Sequence, residues 1–354
     1  MRTAPRIDVL VVGLGPAGGR AAERAAAAGL TVVAVERKRH IGAPVQCAEF
    51  VPALMSQEIP GLGEVTRQGI AAMTTHVDDV EDDHAPDFPG RMIDRDRLDT
   101  ALARRAEARG ARLLPGARVV DIRRDGTVAL SDGRRLAPRV LIGCDGPRSR
   151  VGAAIGQRNR ELVATRQVTV PLTVPHAATD IYLGARYPGG YGWLFPKGAV
   201  ANLGAGVERA RAGDLARAVT RLHAAEVARG RVGAPVLGLT GGDIPVGGPL
   251  HPHGRLGGVL VLLAGDAAGL THPITGAGIP AAVISGSLAG EAAAAWLDGD
   301  SSAAVDYADE LEALFGTALR RALTRRRAIA AAGPCPSPAA LRRAWIAYPE
   351  YWAA

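Results

Sequence analysis

The residues of this chain best suited to chemistry fall into two groups. The first is Asp8-Val9-Leu10-Val11-Val12-Gly13-Leu14-Gly15-Pro16-Ala17-Gly18, with Glu36 closing the next apolar run. The second is four side chains that could line a pocket or carry a proton: Cys47, Tyr191, Trp193 and His272. In the Gly13-x-Gly15-x-x-Gly18 turn the first glycine permits a tight turn. The second lets backbone approach a pyrophosphate, and the third lets helix pack on strand. The helix start presents free N–H groups to phosphates. Glu36, eighteen residues after Gly18, is placed to accept hydrogen bonds from an adenosine ribose. Strand, turn, helix, second strand and acid together predict a bound dinucleotide. The competing reading is a glycine-rich turn in an unrelated sheet, and the motif alone does not separate NAD(P) from FAD.

The elements that must position these residues read as follows. Residues 7–12 form a buried parallel strand, 17–28 its crossover helix and 31–36 the second strand. A helix over 95–109 carries Leu98, Leu102 and Ala106 on one face, followed by a short strand at 112–114. Asp125-Gly126 turns a hairpin between 119–124 and 127–130, and 140–144 is another short apolar strand. From 165 to 207 the pattern becomes strands of alternating polarity without helical crossovers, as in 166–174 and 180–185. That change predicts an antiparallel sheet inserted into the α/β unit. A surface helix at 210–229, an apolar strand at 259–264 and helices at 278–297 and 303–331 complete the series. Three prolines in 333–338 end the helical region and leave a short tail.

The strand at 259–264 runs into Gly265-Asp266-Ala267-Ala268-Gly269, and then Pro273-Ile274-Thr275-Gly276-Ala277-Gly278-Ile279. A carboxylate at a strand end can hold a sugar-like hydroxyl. The glycine turn after it aims backbone N–H groups and a helix N-terminus at an electron-rich acceptor. A ligand long enough to reach from the Gly13 turn to the Gly276 turn is FAD, with its ribitol and the N1/C2 edge at the far end. The expected fold is therefore α/β: a Rossmann-like FAD-binding domain with an inserted antiparallel-sheet substrate domain and C-terminal helices. Residues 1–60, 94–160 and 255–300 would form the FAD-binding domain, 61–93 and 161–254 the substrate domain, and 301–354 a helical segment.

Composition narrows the partners. The formal charge of +7 comes from scattered arginines, often beside acids as in Arg95-Asp96-Arg97-Leu98-Asp99, so nucleic-acid binding is not expected. The one basic cluster, Arg320-Arg321 to Arg325-Arg326-Arg327, reads as the solvated face of a C-terminal helix. Cys47, Cys144 and Cys335 are odd in number and lack metal-ligand spacing, so neither a disulfide framework nor a metal site is expected. A cytoplasmic setting fits. The N-terminus enters a strand directly and no apolar run has the length of a spanning helix, which leaves peripheral membrane contact open.

Gly13-x-Gly15-x-x-Gly18, Cys144-Asp145-Gly146 and Gly265-Asp266 resemble the three fingerprints of FAD-dependent oxidoreductases of the p-hydroxybenzoate-hydroxylase type. More specifically, the chain resembles the geranylgeranyl reductase family. The matching stretches are Gly42-Ala43-Pro44-Val45-Gln46-Cys47-Ala48-Glu49, Tyr191-x-Trp193-x-Phe195-Pro196-Lys197 with Gly204-x-Gly206, and Gly241-Gly242-Asp243-Ile244-Pro245. The likeness covers about residues 5–300. It implies FAD contacts from Ala17 and Glu36, from Cys47-Ala48, Arg95 and Val119, and from Asp266, Gly278 and Ile279. We count Gly13, Gly15, Pro16, Gly18, Arg37, Asp145, Gly265 and Gly276 with that set. Arg97 competes with Arg95 for the pyrophosphate-side contact.

Cys47 would face substrate and flavin, or be a small buried hydrophobe. Tyr191 and Trp193, two apart on a strand, would wall a pocket or simply pack. His272 beside the flavin turn would donate a proton or serve as a loop residue. Phe50 stands where the family usually has glycine, and its ring would narrow the cavity against a long prenyl chain. The resemblance implies reduction or dehydrogenation of a carbon–carbon double bond in an apolar small molecule, a prenyl lipid or a specialised metabolite. Electrons would come from NAD(P)H or a reductase or ferredoxin partner, because no second dinucleotide motif is present. A flavin monooxygenase acting on an aromatic or polyketide is the principal alternative, and a halogenase or a non-catalytic flavin module the others.

Overall fold

Runs of valine, leucine and isoleucine become the middle of a parallel sheet in the computed structural model, which describes residues 6–78, 82–333 and 335–353. Residues 1–5 and 79–81, Pro334 and Ala354 fall within the expected segments but lie outside those described. Strands Arg6–Val12, Val32–Glu36, Arg112–Pro115, Arg135–Gly143 and Val259–Leu263 pair in parallel, with His253–Leu256 antiparallel at one edge. Every residue of Val259–Leu263 is buried, as a strand covered on both faces requires. The hairpin Val119–Ile122 and Val128–Leu130 attaches beside Arg135–Gly143.

Glycine determines how close the helices come. A Cβ on Gly19 of helix Pro16–Ala27 would sit 2.8 Å from Leu102 of helix Arg95–Ala108. One on Gly286 of helix Ile279–Leu297 would sit 2.1 Å from the Ala17 carbonyl, and one on Gly290 would sit 2.6 Å from that of Ala21. Contacts that advance together along both chains mean the two helices run in the same direction. At the helical rise of ~1.5 Å per residue, helix Ile279–Leu297 begins about 9 Å further out than helix Pro16–Ala27.

The inserted region is a seven-stranded sheet in the order Gly238–Pro245, Leu162–Pro171, Val200–Glu208, Gly192–Lys197, Ala178–Leu183, Ala72–Val77, Asp83–Ala85. It is antiparallel except where Ala178–Leu183 runs parallel to Ala72–Val77. Helix Leu215–Ala228 covers one face with Leu215, Ala218, Val219 and Leu222, so the expected surface helix is half core, and its first turn is a separate 3-10 turn at Arg209–Asp214. A separate small sheet of Phe50–Pro52, Gly90–Ile93 and Thr66–Ile70 lies against strand Gly192–Lys197. Among the described residues no helix is long and apolar enough to cross a membrane.

Two expectations about the C-terminus are corrected. The chain does not end in a tail: Pro338–Ala344 and Pro349–Trp352 are helices, each with proline in its first turn, and Leu341, Trp345, Tyr348 and Tyr351 are buried. Nor is the arginine cluster simply solvated. Arg325 Nε donates to the Tyr351 carbonyl (3.2 Å), Arg326 donates to the Pro273 carbonyl (3.3 Å), and Arg321 lies over the Trp352 ring (5.3 Å). The helical stretch 303–331 is continuous but carries a π turn at Glu312–Gly316.

Under helix Leu215–Ala228 lies a buried polar centre. Asp180, 2% exposed, faces His76 Nε2 (3.0 Å) and His176 Nε2 (3.1 Å) and accepts from Arg231 (2.5 Å), while Glu226 pairs with Arg229 and Arg231. Burial alone would raise the Asp180 pKa, but these three donors hold it well below the usual carboxylate range. Burial pulls His76 down, yet its bonds to Asp180 and Asp82 leave it raised; His176 is raised by its bond to Asp180. Asp180→Asn therefore costs about 3–5 kcal/mol in urea unfolding at neutral pH, the usual cost of removing one partner from a buried charge network. The stability that the two histidines add is fully present below pH 6.5 and is lost as pH rises through their raised values. That alkaline loss shrinks in Asp180→Asn to the part that Asp82 gives His76.

Candidate active site at the junction of the two sheets

The expected ADP end is built by backbone. Gly13 has φ +95°, and a Cβ there would meet the Cys144 carbonyl oxygen at 2.4 Å. A Cβ on Gly18 would lie 1.7 Å from the Gly13 carbonyl oxygen, so strand, turn and helix close only with glycine at both positions. Gly15 precedes helix Pro16–Ala27 without a side-chain cap, which leaves the first-turn N–H groups to a ligand. Ala17 is buried in that first turn. Glu36 accepts from the N–H groups of Leu14 and Lys38 (2.9 Å each), fixing its carboxylate at the turn. Arg37 is exposed beside it, and Val119 is buried at the start of its strand.

Arg95 and Arg97 separate cleanly. Arg95 makes a two-pronged pair with Asp99 (2.8 and 3.2 Å), and its guanidinium lies 3.9 Å from where a Gly15 Cβ would be. Burial disfavours its charge, but Asp99 more than restores it. Arg97 points outward, 56% exposed, with only Asp94 at 3.8 Å. Arg95 is thus the arginine placed at the Gly13–Gly18 turn.

At the far end, strand Val259–Leu263 leads into Gly265 (φ +59°) and the turn that carries Asp266. Burial pushes the Asp266 carboxyl up, and the Thr271 hydroxyl donates to its Oδ1 (2.6 Å). Asn159 Nδ2 bridges the Asp266 carbonyl (2.8 Å) and the Pro147 carbonyl (3.1 Å). Gly276 (φ +69°) turns the chain, and Gly278 opens helix Ile279–Leu297, again with no side-chain cap. A Cβ on Gly265 would touch Ala17 (3.3 Å) and Ala282 (3.2 Å), so both uncapped helix starts border one cleft. Two helix N-termini staggered by about 9 Å, with one acid at each end, fit a ligand as long as FAD.

Two of the expected site residues have partners within the chain. Asp145 accepts from the Ser149 hydroxyl (2.5 Å) and from the Arg150 and Val151 N–H groups (2.6 and 3.3 Å) at the start of helix Arg150–Ala154, which Ser149 caps. Burial drives His272 down to about 4, so it is neutral at physiological pH. Its Nδ1 accepts from the Thr275 N–H (3.2 Å) and its Nε2 lies 3.3 Å from the Tyr351 hydroxyl. It holds the Pro273–Thr275 turn in shape and is not a charged proton donor.

Cys47, Tyr191 and Trp193 do come together, through residues to which the sequence reading assigned no role. Gln167 donates to the Cys47 carbonyl (3.2 Å) and accepts from Trp193 Nε1 (3.1 Å). Asn202 donates to the Ala48 carbonyl (3.3 Å) and to Glu49 Oε2 (2.9 Å). Glu49 also accepts from Lys197 Nζ (2.7 Å) and from the Arg95 N–H (2.9 Å), and Lys197 reaches Asp94 (3.0 Å). Burial lowers the Lys197 pKa, but its two carboxylates leave it raised. Glu49 and Lys197 stand inside the quoted motifs; nothing local marks them as partners. Cys47 packs against a buried apolar cluster that includes Val51, Ile93, Leu98 and, from the second uncapped helix, Ile279 and Val283. Burial pushes its thiol up, and its sulfur accepts the Glu49 N–H (3.2 Å). Tyr191 donates to the Thr275 carbonyl (2.5 Å) and its ring meets Trp193 (5.8 Å) and Trp345 (5.0 Å).

Comparison with known proteins gives the family. The FAD dependent oxidoreductase family matches residues 8–139, and the geranylgeranyl reductase catalytic domain matches residues 162–231. A digeranylgeranylglycerophospholipid reductase of Methanopyrus kandleri is 33% identical over 347 residues, covering 89% of this chain and 85% of the relative. The reductase of the same name from Methanothrix thermoacetophila is 33% identical over 317 residues, covering 82% and 78%. Among solved structures, a geranylgeranyl bacteriochlorophyll reductase-like protein of Thermoplasma acidophilum is 26% identical with a TM-score of 0.81, covering 92% of this chain and 88% of that one. PqsL of Pseudomonas aeruginosa, at 21% identity and a TM-score of 0.71 over 93% and 96%, shares the fold alone. The chain belongs to the geranylgeranyl reductase family of FAD-dependent oxidoreductases.

Proposed function

We propose that this FAD-dependent oxidoreductase reduces carbon–carbon double bonds of a prenyl-type apolar substrate whose hydrocarbon lies along the aromatic face beside Cys47. One observation carries the reading. Half of the chain's aromatic residues, Phe50, Phe88, Tyr191, Trp193, Phe195, Trp345 and Tyr348, cluster on one face of the seven-stranded sheet with Ala48 and Ile274. The polar atoms of Tyr191 and Trp193 are spent on Thr275 and Gln167, so what these side chains offer a substrate is ring surface. The relatives' reductase names support the same substrate class. The monooxygenase alternative is supported by fold likeness alone. We retain the division into an FAD-binding part (1–60, 94–160, 255–300), a substrate part (61–93, 161–254) and a C-terminal segment (301–354). A cytoplasmic site of action with peripheral membrane contact accompanies the reading, as does a transient donor, NAD(P)H or a reductase or ferredoxin.

Reduced FAD, when bound, supplies a hydride. An isolated alkene has no carbonyl on which to delocalise charge, so the protein contributes placement, exclusion of water and a proton. Gln167 and Asn202 hold the Cys47 and Ala48 carbonyls on the sheet and fix where the thiol points. The Cys47 sulfur keeps its proton at neutral pH because burial disfavours the thiolate. The sulfur accepts the Glu49 N–H and lies beside the Arg95 guanidinium, and we assign Cys47 as the proton holder at Sγ. Ala17, Glu36, Arg95, Val119, Asp266, Gly278 and Ile279 are the residues we assign to FAD.

The reaction is tested by anaerobic turnover of dithionite-reduced holoprotein with geranylgeranyl lipid, followed by mass spectrometry. Gain of two hydrogens per double bond is the expected result; gain of oxygen on admitting air would establish hydroxylation instead. Cys47→Ala lowers kcat by about 10²–10⁴-fold with bound flavin unchanged in its absorbance, the range for loss of a positioned proton donor. Full turnover in Cys47→Ala would move the proton source elsewhere. Phe50 stacks on Phe88 (5.9 Å) and meets Phe195 (5.8 Å), and a Cβ on Gly90 would lie 2.3 Å from its ring. Phe50→Leu shifts the kcat/KM ratio of geranylgeraniol over geraniol upward by about tenfold, as a changed apolar pocket does. An unchanged ratio would place the hydrocarbon away from Phe50.

A further inference from the structure

Four of the nine large apolar side chains left exposed among the described residues lie at one corner of the seven-stranded sheet: Val174 (52% exposed), Val236 (53%), Leu237 (59%) and Leu239 (59%). Backbone bonds hold the corner together. Leu237 N–H donates to the Thr169 carbonyl (2.8 Å), Gly233 N–H to that of Pro171 (2.9 Å), and Thr173 and Val174 N–H to that of Arg231 (2.9 and 3.3 Å). Ala234-Pro235-Val236-Leu237 is a fully exposed run without a charge. The feature is therefore an anchored apolar loop rather than isolated side chains.

The loop enters the edge strand Gly238–Pro245, whose outer side is occupied. Thr240 Oγ1 donates to the Val45 carbonyl (2.6 Å), and Gln46 Nε2 donates to the Gly241 carbonyl (2.7 Å). That cover obstructs strand addition by a second chain, the usual use of a free sheet edge. The covering segment Pro44–Gln46 runs directly into Cys47. On its other side it leads back to Arg37-Lys38-Arg39-His40, where Lys38 Nζ donates to the Pro44 carbonyl (2.9 Å) and Arg37, Arg39 and His40 are exposed. Asp243, the carboxylate of the edge strand, is matched by both Arg148 (2.6 Å) and Arg209 (2.9 Å). An uncharged loop and a surplus of basic residues are thus tied to one covering segment.

We infer that this corner docks on an anionic lipid bilayer, with the 234–239 loop entering the headgroup boundary and the exposed Arg39 and His40 facing the lipid phosphates. Apolar insertion combined with electrostatic attraction is what holds a protein in that interface. The prenyl-lipid reading gives the docking its purpose, since substrate would then enter beside Pro44–Cys47. Its test does not depend on that reading.

Holoprotein is floated with vesicles of phosphatidylcholine, with and without phosphatidylglycerol. Wild type floats with the anionic vesicles, and added salt weakens it. Leu237→Asp/Leu239→Asp lowers partitioning by about tenfold or more, as expected when inserted apolar area is lost, while flavin content and turnover of detergent-solubilised geranylgeraniol stay as in wild type. Arg39→Glu reduces flotation with the anionic vesicles only. Wild type that floats with neither composition, or a double variant that floats as well as wild type, overturns the proposal. So does light scattering that shows a dimer abolished by the double variant, because the corner would then be a protein interface. Flotation that responds to the variants without turnover of any prenyl compound would overturn the substrate reading and leave the docking intact.

Discussion

The carboxylate of Glu49 is the constraint on which the rest of the site depends. It is 5% exposed and sits on a backbone with φ +70°, a region that non-glycine residues enter at a cost of about 1–3 kcal/mol. Such a residue persists only where its surroundings over-determine it, and here three elements do so. The N–H of Arg95 comes from a helix of the parallel-sheet half, while Lys197 and Asn202 come from neighbouring strands of the seven-stranded sheet. A charge buried this far is tolerable because every oxygen is met by a donor and one donor is a cation. By fixing Glu49, the protein fixes Cys47 and Ala48 before it and Phe50 after it.

The same anchor links the two ends of the cleft. Arg95 gives its backbone N–H to Glu49 and lays its guanidinium beside Gly15, so the first glycine turn and the aromatic face share one reference point. The aromatic face is held as firmly. Gln167 orients Trp193, Thr275 orients Tyr191, and the C-terminal helices bring Trp345 against Tyr191 from outside. A substrate without polar handles can be positioned only by shape, and shape persists only if the walls do not move.

Much of this was legible in the residue order, and what was missed has a common cause. The strands, the helices and the glycine turn of the parallel half follow from periodicity and from φ requirements that act over a few residues. Arg95 and Arg97 could not be separated because both lie in one helical turn, and only packing shows which faces Gly15. The bonds that Asp145 accepts at the start of helix Arg150–Ala154 depend on a turn that the residue order did not show. The prolines of 333–338 read as an ending, yet Pro338 opens a helix, and the partners of Trp345 and Tyr348 are Met73 and Asp83, more than 250 residues earlier. Glu49 and Lys197 are 148 residues apart, a distance that no local pattern bridges.

The stagger between helices Pro16–Ala27 and Ile279–Leu297 bears on how the chain matures. The first glycine turn is synthesised before the second helix, and it stays an incomplete binding surface until Gly286 and Gly290 pack against Ala17 and Ala21. Strand Arg6–Val12 likewise waits for Arg135–Gly143, which in turn waits for Val259–Leu263. Contacts this distant in sequence are slow to form and leave apolar strands uncovered meanwhile. FAD can therefore be captured tightly only once synthesis has passed the second helix, and its binding then stabilises the completed fold by mass action. Supply of the flavin becomes a determinant of how much of the chain survives its own folding.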